Sequence, residues 1–330
     1  MLTRLKKWWP WLKLALFAAI LLGVGWQFRK ILAARPDLWD DVRAARLDYL
    51  VLSGLLYLAG LGFSAYFWLH LLRQVGQPIA TGAGVRAYYV SQLGKYTPVK
   101  GFALIMRTTA ATGAGVRPGA ALLTGAYETL TTMAAGALLA AGLILWLQRQ
   151  DQDLLWKALI LLALAGIPIL PGVFNRVLDR LTRKFRQGDA AFLPPLRYRT
   201  LLFGVLLTAC GWLCLGASLQ ATLLALRAAD GWNLDAVLKG TAFMAVAYVA
   251  GFLVSTPGSG LGVREFFLQQ CLAPTLGAMA VVAALLVRVV WTLAELVMAC
   301  VVYWLSSSSA KAPVVLECAT EGNRGERPII

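Results

Sequence analysis

The longest uncharged stretches constrain the fold of this 330-residue chain more than any other feature. Residues 201–226 carry no charged side chain, and residues 119–147 carry only Glu128. A helix needs roughly 20 apolar residues to cross the hydrocarbon core of a bilayer. Inside that core every backbone N–H and C=O group must be hydrogen-bonded within the protein, which helices achieve. We therefore expect an all-α integral membrane protein.

Two kinds of apolar segment can be distinguished along the chain. Six segments have the length of a full span, at about 10–28, 48–72, 118–147, 154–174, 200–227 and 275–305. Two others, 82–112 and 236–273, are interrupted by proline and glycine, at Pro98, Pro257, Gly258, Gly260 and Gly262. Proline removes a backbone donor and glycine weakens a helix. We predict two re-entrant segments whose breaks meet near the middle of the membrane, the alternative being ordinary proline kinks.

The order of segments is repeated, with a full span, a short helix, a break, a short helix and a full span in each half. Paired, interrupted segments of this kind indicate a transporter binding site, and we predict an inverted repeat. The predicted domains are an N-terminal span and linker (1–46), a first membrane repeat (47–147), a connecting span with a basic cytoplasmic loop (148–199), a second membrane repeat (200–305) and a disordered cytoplasmic tail (306–330).

The net charge of +15, from 31 Lys and Arg against 16 Asp and Glu, is concentrated at the ends of apolar segments. Cytoplasmic loops of membrane proteins carry such an excess. We expect a multi-pass protein of the bacterial inner membrane with a cytoplasmic N-terminus. No nucleic-acid-binding motif accompanies the charge, so nucleic acid is not an expected partner. The five cysteines and the single His70 lack metal-ligand spacing, so neither a metal nor a cofactor is expected.

Charged residues within the apolar segments are the candidates for substrate binding. A charge at the centre of a bilayer costs roughly 2.5 to 3.5 kcal/mol, so such side chains should face protein or water. The candidates are Lys95, Lys100, Arg107, Glu128, Arg264, Glu265 and Arg288. Their positive excess favours an anionic ligand, because a guanidinium binds phosphate through two parallel hydrogen bonds. We expect Arg107 and Arg264 to share a cavity, with Glu128 and Glu265 as their carboxylate partners.

Structural interpretations of several of these charges stand beside the functional one. Lys95 could extend to the membrane interface, as long basic side chains do. Arg288 and Glu295 are seven residues apart, so they lie on one helix face and could form a structural ion pair.

Two motifs resemble the signatures of a known family. Residues 94–100, Gly-Lys-Tyr-Thr-Pro-Val-Lys, are followed by Arg107 and Glu128, and residues 257–265 read Pro-Gly-Ser-Gly-Leu-Gly-Val-Arg-Glu. Both are similar to the flippase-like membrane domain of the lysylphosphatidylglycerol synthases and their stand-alone relatives, over about 47–305. The resemblance implies a lipid translocator. It assigns the lipid pathway to Lys95, Pro98, Lys100, Arg107, Glu128, Pro257, Gly258, Gly262, Arg264 and Glu265.

The chain departs from this family in two respects. Val99 stands where the family often has glycine, which affects the bend at the first break. The synthases also carry a soluble aminoacyl-transfer domain after the membrane part, whereas only 26 residues follow Trp304 here. So short a segment cannot form a core, and aminoacylation of lipid is not expected.

Three functions are compatible with these sequence features. The leading one is a membrane lipid translocase that moves an anionic phospholipid or a lipid-linked glycan between leaflets. The alternative is a non-transporting membrane subunit that binds or presents lipid to a partner synthase or glycosyltransferase. An enzyme acting on lipid phosphate is disfavoured, because Glu128 and Glu265 are its only candidate bases. Expected partners are anionic membrane lipids, a lipid-synthesising enzyme and a second copy of the chain.

Overall fold

The computed structural model describes residues 42–97, 101–147, 197–253 and 262–309, with isolated positions at 26, 167, 170, 172, 173 and 176. Within these ranges every regular element is helical, which confirms the predicted all-α class. The elements are α1 (Leu47–Gln74), α2 (Thr81–Gln92), a short 3-10 helix (Leu93–Tyr96), α3 (Phe102–Thr112), α4 (Pro118–Leu147), α5 (Tyr198–Ala225), α6 (Leu234–Leu253), α7 (Val263–Leu276) and α8 (Met279–Ser309).

Within the described residues, four segments are identified as helices long and apolar enough to cross a membrane, namely Leu47–Gln74, Tyr198–Ala225, Leu234–Phe252 and Met279–Val302. Three of them lie at the predicted spans 48–72, 200–227 and 275–305. The fourth is α6, which the sequence analysis placed inside the broken segment 236–273. That segment therefore contains a helix of full spanning length, because no proline interrupts residues 234–253.

Helix α4 (Pro118–Leu147) forms over the whole of the predicted span 118–147, and its second half, residues 130–147, carries no charged side chain.

Several predicted features lie outside the described residues. They are the spans 10–28 and 154–174, most of the basic loop, Lys100, the breaks at Pro98, Pro257, Gly258 and Gly260, and the tail from residue 310. The re-entrant geometry of the two interrupted segments therefore stays a prediction.

The two halves of the chain, α1–α4 and α5–α8, share one order of helices and exchange their packing partners. α4 of the first half packs on α6 of the second, and α8 of the second packs on α2 of the first. The first helices of the halves, α1 and α5, make the most extensive contact in the described structure. Reciprocal contacts of this kind are expected of two repeats that face one another.

The contact between α1 and α5 depends on two glycines. A Cβ atom added to Gly60 would lie 3.0 Å from the Gly211 carbonyl oxygen and 2.6 Å from Leu215 Cδ1. A Cβ atom added to Gly211 would likewise lie 3.0 Å from the Gly60 carbonyl oxygen. Small residues allow helices within a membrane to approach closely and pack through their backbones. The two helices therefore cross with their main chains almost in contact.

Buried hydroxyl groups join the same helices farther along. Ser53 Oγ lies 2.9 Å from both Ser218 Oγ and Thr222 Oγ1, which binds α1 to α5. Trp291 Nε1 donates to Ser218 Oγ at 2.8 Å and adds α8 to the network. Because this network is buried and fully hydrogen-bonded, it fixes the register of three long helices.

We predict that Gly60→Ala lowers the thermal stability of the purified protein. The added methyl group must displace Leu215 or separate the two backbones, and overpacking of this kind typically costs about 1–3 kcal/mol. Thermal unfolding in detergent measures the effect. Gly142→Ala is the control, because a Cβ atom there meets nothing within 4 Å. Equal unfolding temperatures for the two variants would contradict the close crossing.

Candidate functional site

A cavity of about 450 Å³ lies where the two halves meet, and helices α1 to α7 all contribute to its wall. The wall is mostly apolar. Its apolar part includes Leu61, Leu104, Leu130, Met133, Trp212 and Leu215. Four charged side chains interrupt it, those of Lys95, Arg107, Glu128 and Arg264. The structure therefore brings four of the seven predicted site residues to one cavity, whose volume is that of a small-molecule site.

Arg107 and Glu128 form a buried ion pair between α3 and α4. Arg107 Nη1 lies 2.7 Å from Glu128 Oε2, and the two residues are 5% and 2% exposed. Arg107 Nε also donates to Ser91 Oγ at 3.3 Å, and its guanidinium lies 4.0 Å from the centre of the Tyr88 ring. The Tyr88 hydroxyl in turn donates to Glu128 Oε1 at 3.0 Å. The charge of Arg107 is thus balanced locally, by the carboxylate that the sequence analysis expected.

Glu265 pairs with Arg288 of α8, so the expected contact between Glu265 and Arg264 is wrong. Arg288 Nη1 lies 3.0 Å from Glu265 Oε1. Adjacent residues on a helix point about 100° apart, which allows Glu265 to reach α8 while Arg264 faces α6. The second Glu265 oxygen accepts from the Gly262 N–H at 2.7 Å. Gly262, one of the predicted break residues, precedes α7 with a φ of +85°. Glycine adopts this left-handed backbone conformation readily, and the right-handed helix begins at the next residue.

Glu295 of α8 is the most thoroughly buried carboxylate of the site, with 0% of its side chain exposed. It accepts hydrogen bonds from Lys95 and Tyr57, and from the Tyr96 hydroxyl at 2.9 Å. Lys95 therefore points into the protein rather than to the membrane interface, and Glu295 pairs with Lys95 rather than with Arg288. Because Lys95 belongs to the first half and Glu295 to the second, this ion pair joins the halves.

Arg264 differs from the other described cations of the site because no carboxylate among the described residues lies within 4.0 Å of it. Its guanidinium carbon lies 4.0 Å from the centre of the Tyr248 ring. Its Nε atom is buried and has no hydrogen-bond partner in the described structure. Among the described residues, an aromatic ring and not a carboxylate therefore lies against this guanidinium.

The tyrosines that cover these cations were not among the site residues predicted from the sequence. Tyr57, Tyr88, Tyr96 and Tyr248 each place a ring 4.0 to 5.5 Å from a charged nitrogen or guanidinium carbon. Each interaction contributes roughly 0.5–2 kcal/mol, more where the cation is desolvated. A tyrosine within an apolar segment that also holds a buried charge is the signal that could have found them.

We predict that Glu128→Leu destabilises the protein by about 3–5 kcal/mol, because it leaves the Arg107 guanidinium buried without a counter-charge. The double variant Arg107→Met/Glu128→Leu should lose less, since no charge then stays unpaired. Thermal unfolding of both proteins measures the difference. Asp235→Asn is the control, because the Asp235–Lys239 pair is about half exposed and contributes less than about 1 kcal/mol. A double variant that is less stable than Glu128→Leu would contradict this account.

Comparison with known proteins assigns the chain to a family. No curated protein matches the chain. The family model described as the lysylphosphatidylglycerol synthase TM region matches residues 10–302, which include the cavity and all three ion pairs. The match extends over most of the chain and bears out the resemblance seen in the two interrupted segments. The chain belongs to the lysylphosphatidylglycerol synthase transmembrane-region family.

Proposed function

We propose that this protein is a lipid translocase, which moves an anionic phospholipid or a lipid-linked glycan between the leaflets of the membrane. The observation that supports it most is the unpaired Arg264 guanidinium in the wall of a largely apolar cavity. The headgroup would occupy this cavity during its passage. The proposed activity leaves the lipid chemically unchanged, so the protein is not proposed to be an enzyme.

The balance of charges in the site favours an anionic ligand. Of the seven described charges in and around the cavity, three carboxylates pair with three cations, and Arg264 is the cation left over. Arg264 is partly buried, and removing a cation from water without a counter-charge costs free energy. Binding of an anion removes that cost, so a phosphate group would gain affinity from the same feature that destabilises the empty cavity. A guanidinium offers phosphate two parallel N–H donors, which an ammonium group cannot.

The apolar lining favours a lipid over a free anion. A site for inorganic phosphate or a sugar phosphate would be surrounded by polar donors, whereas leucine, methionine and tryptophan side chains form most of this wall. Such a surface suits the glycerol backbone and the first methylene groups of a lipid, while Arg264 and Lys95 supply the polar end. Membership of a lipid-related membrane family is in accord with this choice.

The position of the cavity between the halves favours transport. In alternating-access transporters the substrate site lies between repeats, and relative movement of the repeats opens it to either side. Ion pairs and helix contacts across this cavity provide an interface that such a movement would alter. The sequence contains no nucleotide-binding loop, so we propose either downhill movement or proton coupling through Glu128 or Glu265.

We predict that the purified chain flips phosphatidylglycerol in liposomes and that Arg264→Lys lowers the rate at least tenfold. Lysine keeps the charge but loses the planar pair of donors, a loss of about 1.4 kcal/mol or more. The assay follows a fluorescent phosphatidylglycerol whose label is destroyed by a membrane-impermeant reductant. Arg73→Lys is the matched control, because Arg73 is exposed at the end of α1 and should keep the wild-type rate.

The outcomes of this experiment separate the candidate functions. An Arg264→Lys variant that flips lipid at the wild-type rate would contradict phosphate recognition by Arg264. A wild-type protein that binds phosphatidylglycerol but does not flip it would instead favour a subunit that presents lipid to a synthase or glycosyltransferase. Mass spectrometry of the recovered lipid tests the third function, since an enzyme would change its mass.

A further inference from the structure

The side chain of Arg264 lies directly across Gly251 of α6. A Cβ atom added to Gly251 would lie 2.5 Å from Arg264 Cγ, 3.3 Å from Cδ and 3.0 Å from Nε. Three consecutive atoms of the arginine therefore run along the bare backbone of this glycine. Any larger residue at position 251 would occupy the space that the arginine uses.

Tyr248 completes the same support one helical turn earlier. Residues three apart on a helix lie on one face, so Tyr248 and Gly251 face Arg264 together. Gly251 contacts the stem of the side chain, and the Tyr248 ring lies against its guanidinium at 4.0 Å. All three residues line the cavity. We call Tyr248 and Gly251 the arginine cradle.

The arginine cradle determines how an anion can approach. A guanidinium donates its hydrogen bonds in its own plane, so the ring of Tyr248 blocks one face and leaves the N–H edges for a ligand. The long side chain of a free arginine has many conformations, and restricting them before binding increases affinity. A fixed plane also selects ligands, because two oxygens of one phosphate must lie in it together.

We propose that Gly251 and Tyr248 are positioning residues, which hold the Arg264 guanidinium in the plane that binds the phosphate of the lipid headgroup. This inference rests on the proposed function and adds that recognition depends on the conformation of Arg264 as well as on its charge. Glycine weakens a helix relative to alanine. At position 251, however, the absence of a side chain leaves the space that Arg264 occupies. In the first half of the chain, Arg107 is fixed by Glu128 instead.

A double-mutant cycle tests this role directly. Wild type, Gly251→Ala, Arg264→Ala and the double variant are compared for flipping of fluorescent phosphatidylglycerol in liposomes. We expect each single variant to lose at least tenfold in rate, and the double variant to be no slower than Arg264→Ala. If Gly251 acts only through Arg264, its substitution has no further effect once that side chain is absent. Gly142→Ala serves as the control for added helix propensity and should keep the wild-type rate.

A second pair of variants tests the ring and does not depend on the folding of Gly251→Ala. Tyr248→Phe keeps the aromatic face and should lose much less activity than Tyr248→Leu, because no hydrogen bond of the Tyr248 hydroxyl is seen in the described structure. Tyr248→Leu removes the ring and should lose at least tenfold. Equal loss in both variants would assign Tyr248 another role and overturn its place in the cradle.

Failure of this inference can be distinguished from failure of the proposed function. If wild type flips lipid and Gly251→Ala does too, or if the losses in the cycle add up, the cradle is wrong while translocation stands. If wild type flips nothing, translocation is wrong. The cradle is then tested by thermal stabilisation of the same four proteins with short-chain phosphatidylglycerol, using short-chain diacylglycerol, which has no phosphate, as the comparison. Selective stabilisation of wild type alone would support it, and equal stabilisation of wild type and Gly251→Ala would overturn it.

Discussion

The need to neutralise charge among apolar helices determines much of this structure. A carboxylate or cation removed from water is tolerated only beside an opposite charge or several hydrogen-bond donors. Each described buried carboxylate of the cavity region meets this need with a cation from a different helix. Because the pairs connect helices, they also specify which surfaces pack together, which apolar side chains alone would determine less strictly. Arg264 departs from this pattern among the described residues, and in the proposed function it is the cation that a lipid phosphate would approach.

The two halves contain the same types of charged residue, but their ion pairs are arranged differently. In the first half the short helix α3 supplies the cation and the long helix α4 the carboxylate, whereas in the second half the short helix α7 supplies the carboxylate and the long helix α8 the cation. This reversal leaves the neighbouring Arg264 free to face the cavity. The two halves thus share an order of helices but differ in the arrangement of their charged side chains.

Much of the fold could be predicted from the sequence, because long uncharged segments allow few structures. The positions of Lys95, Arg107, Glu128 and Arg264 on one cavity also followed from their unfavourable place in apolar segments. The partner of Glu265 could not be predicted, because it depends on which face of α7 meets α8, and Glu265 and Arg288 are 23 residues apart. The full length of α6 was not predicted, because the proline and glycine residues at 257–262 were taken to interrupt the whole segment 236–273. The contact between Gly251 and Arg264 could not be predicted, because the sequence does not show which side chain will pack across a glycine.

The packing of helices from one half on helices from the other restricts how the two halves can move. Since α8 packs on α2 and its Glu295 binds the 3-10 helix, while α6 packs on α4, each half of the chain packs on helices of the other half. Neither half could therefore move as a separate unit without breaking these contacts.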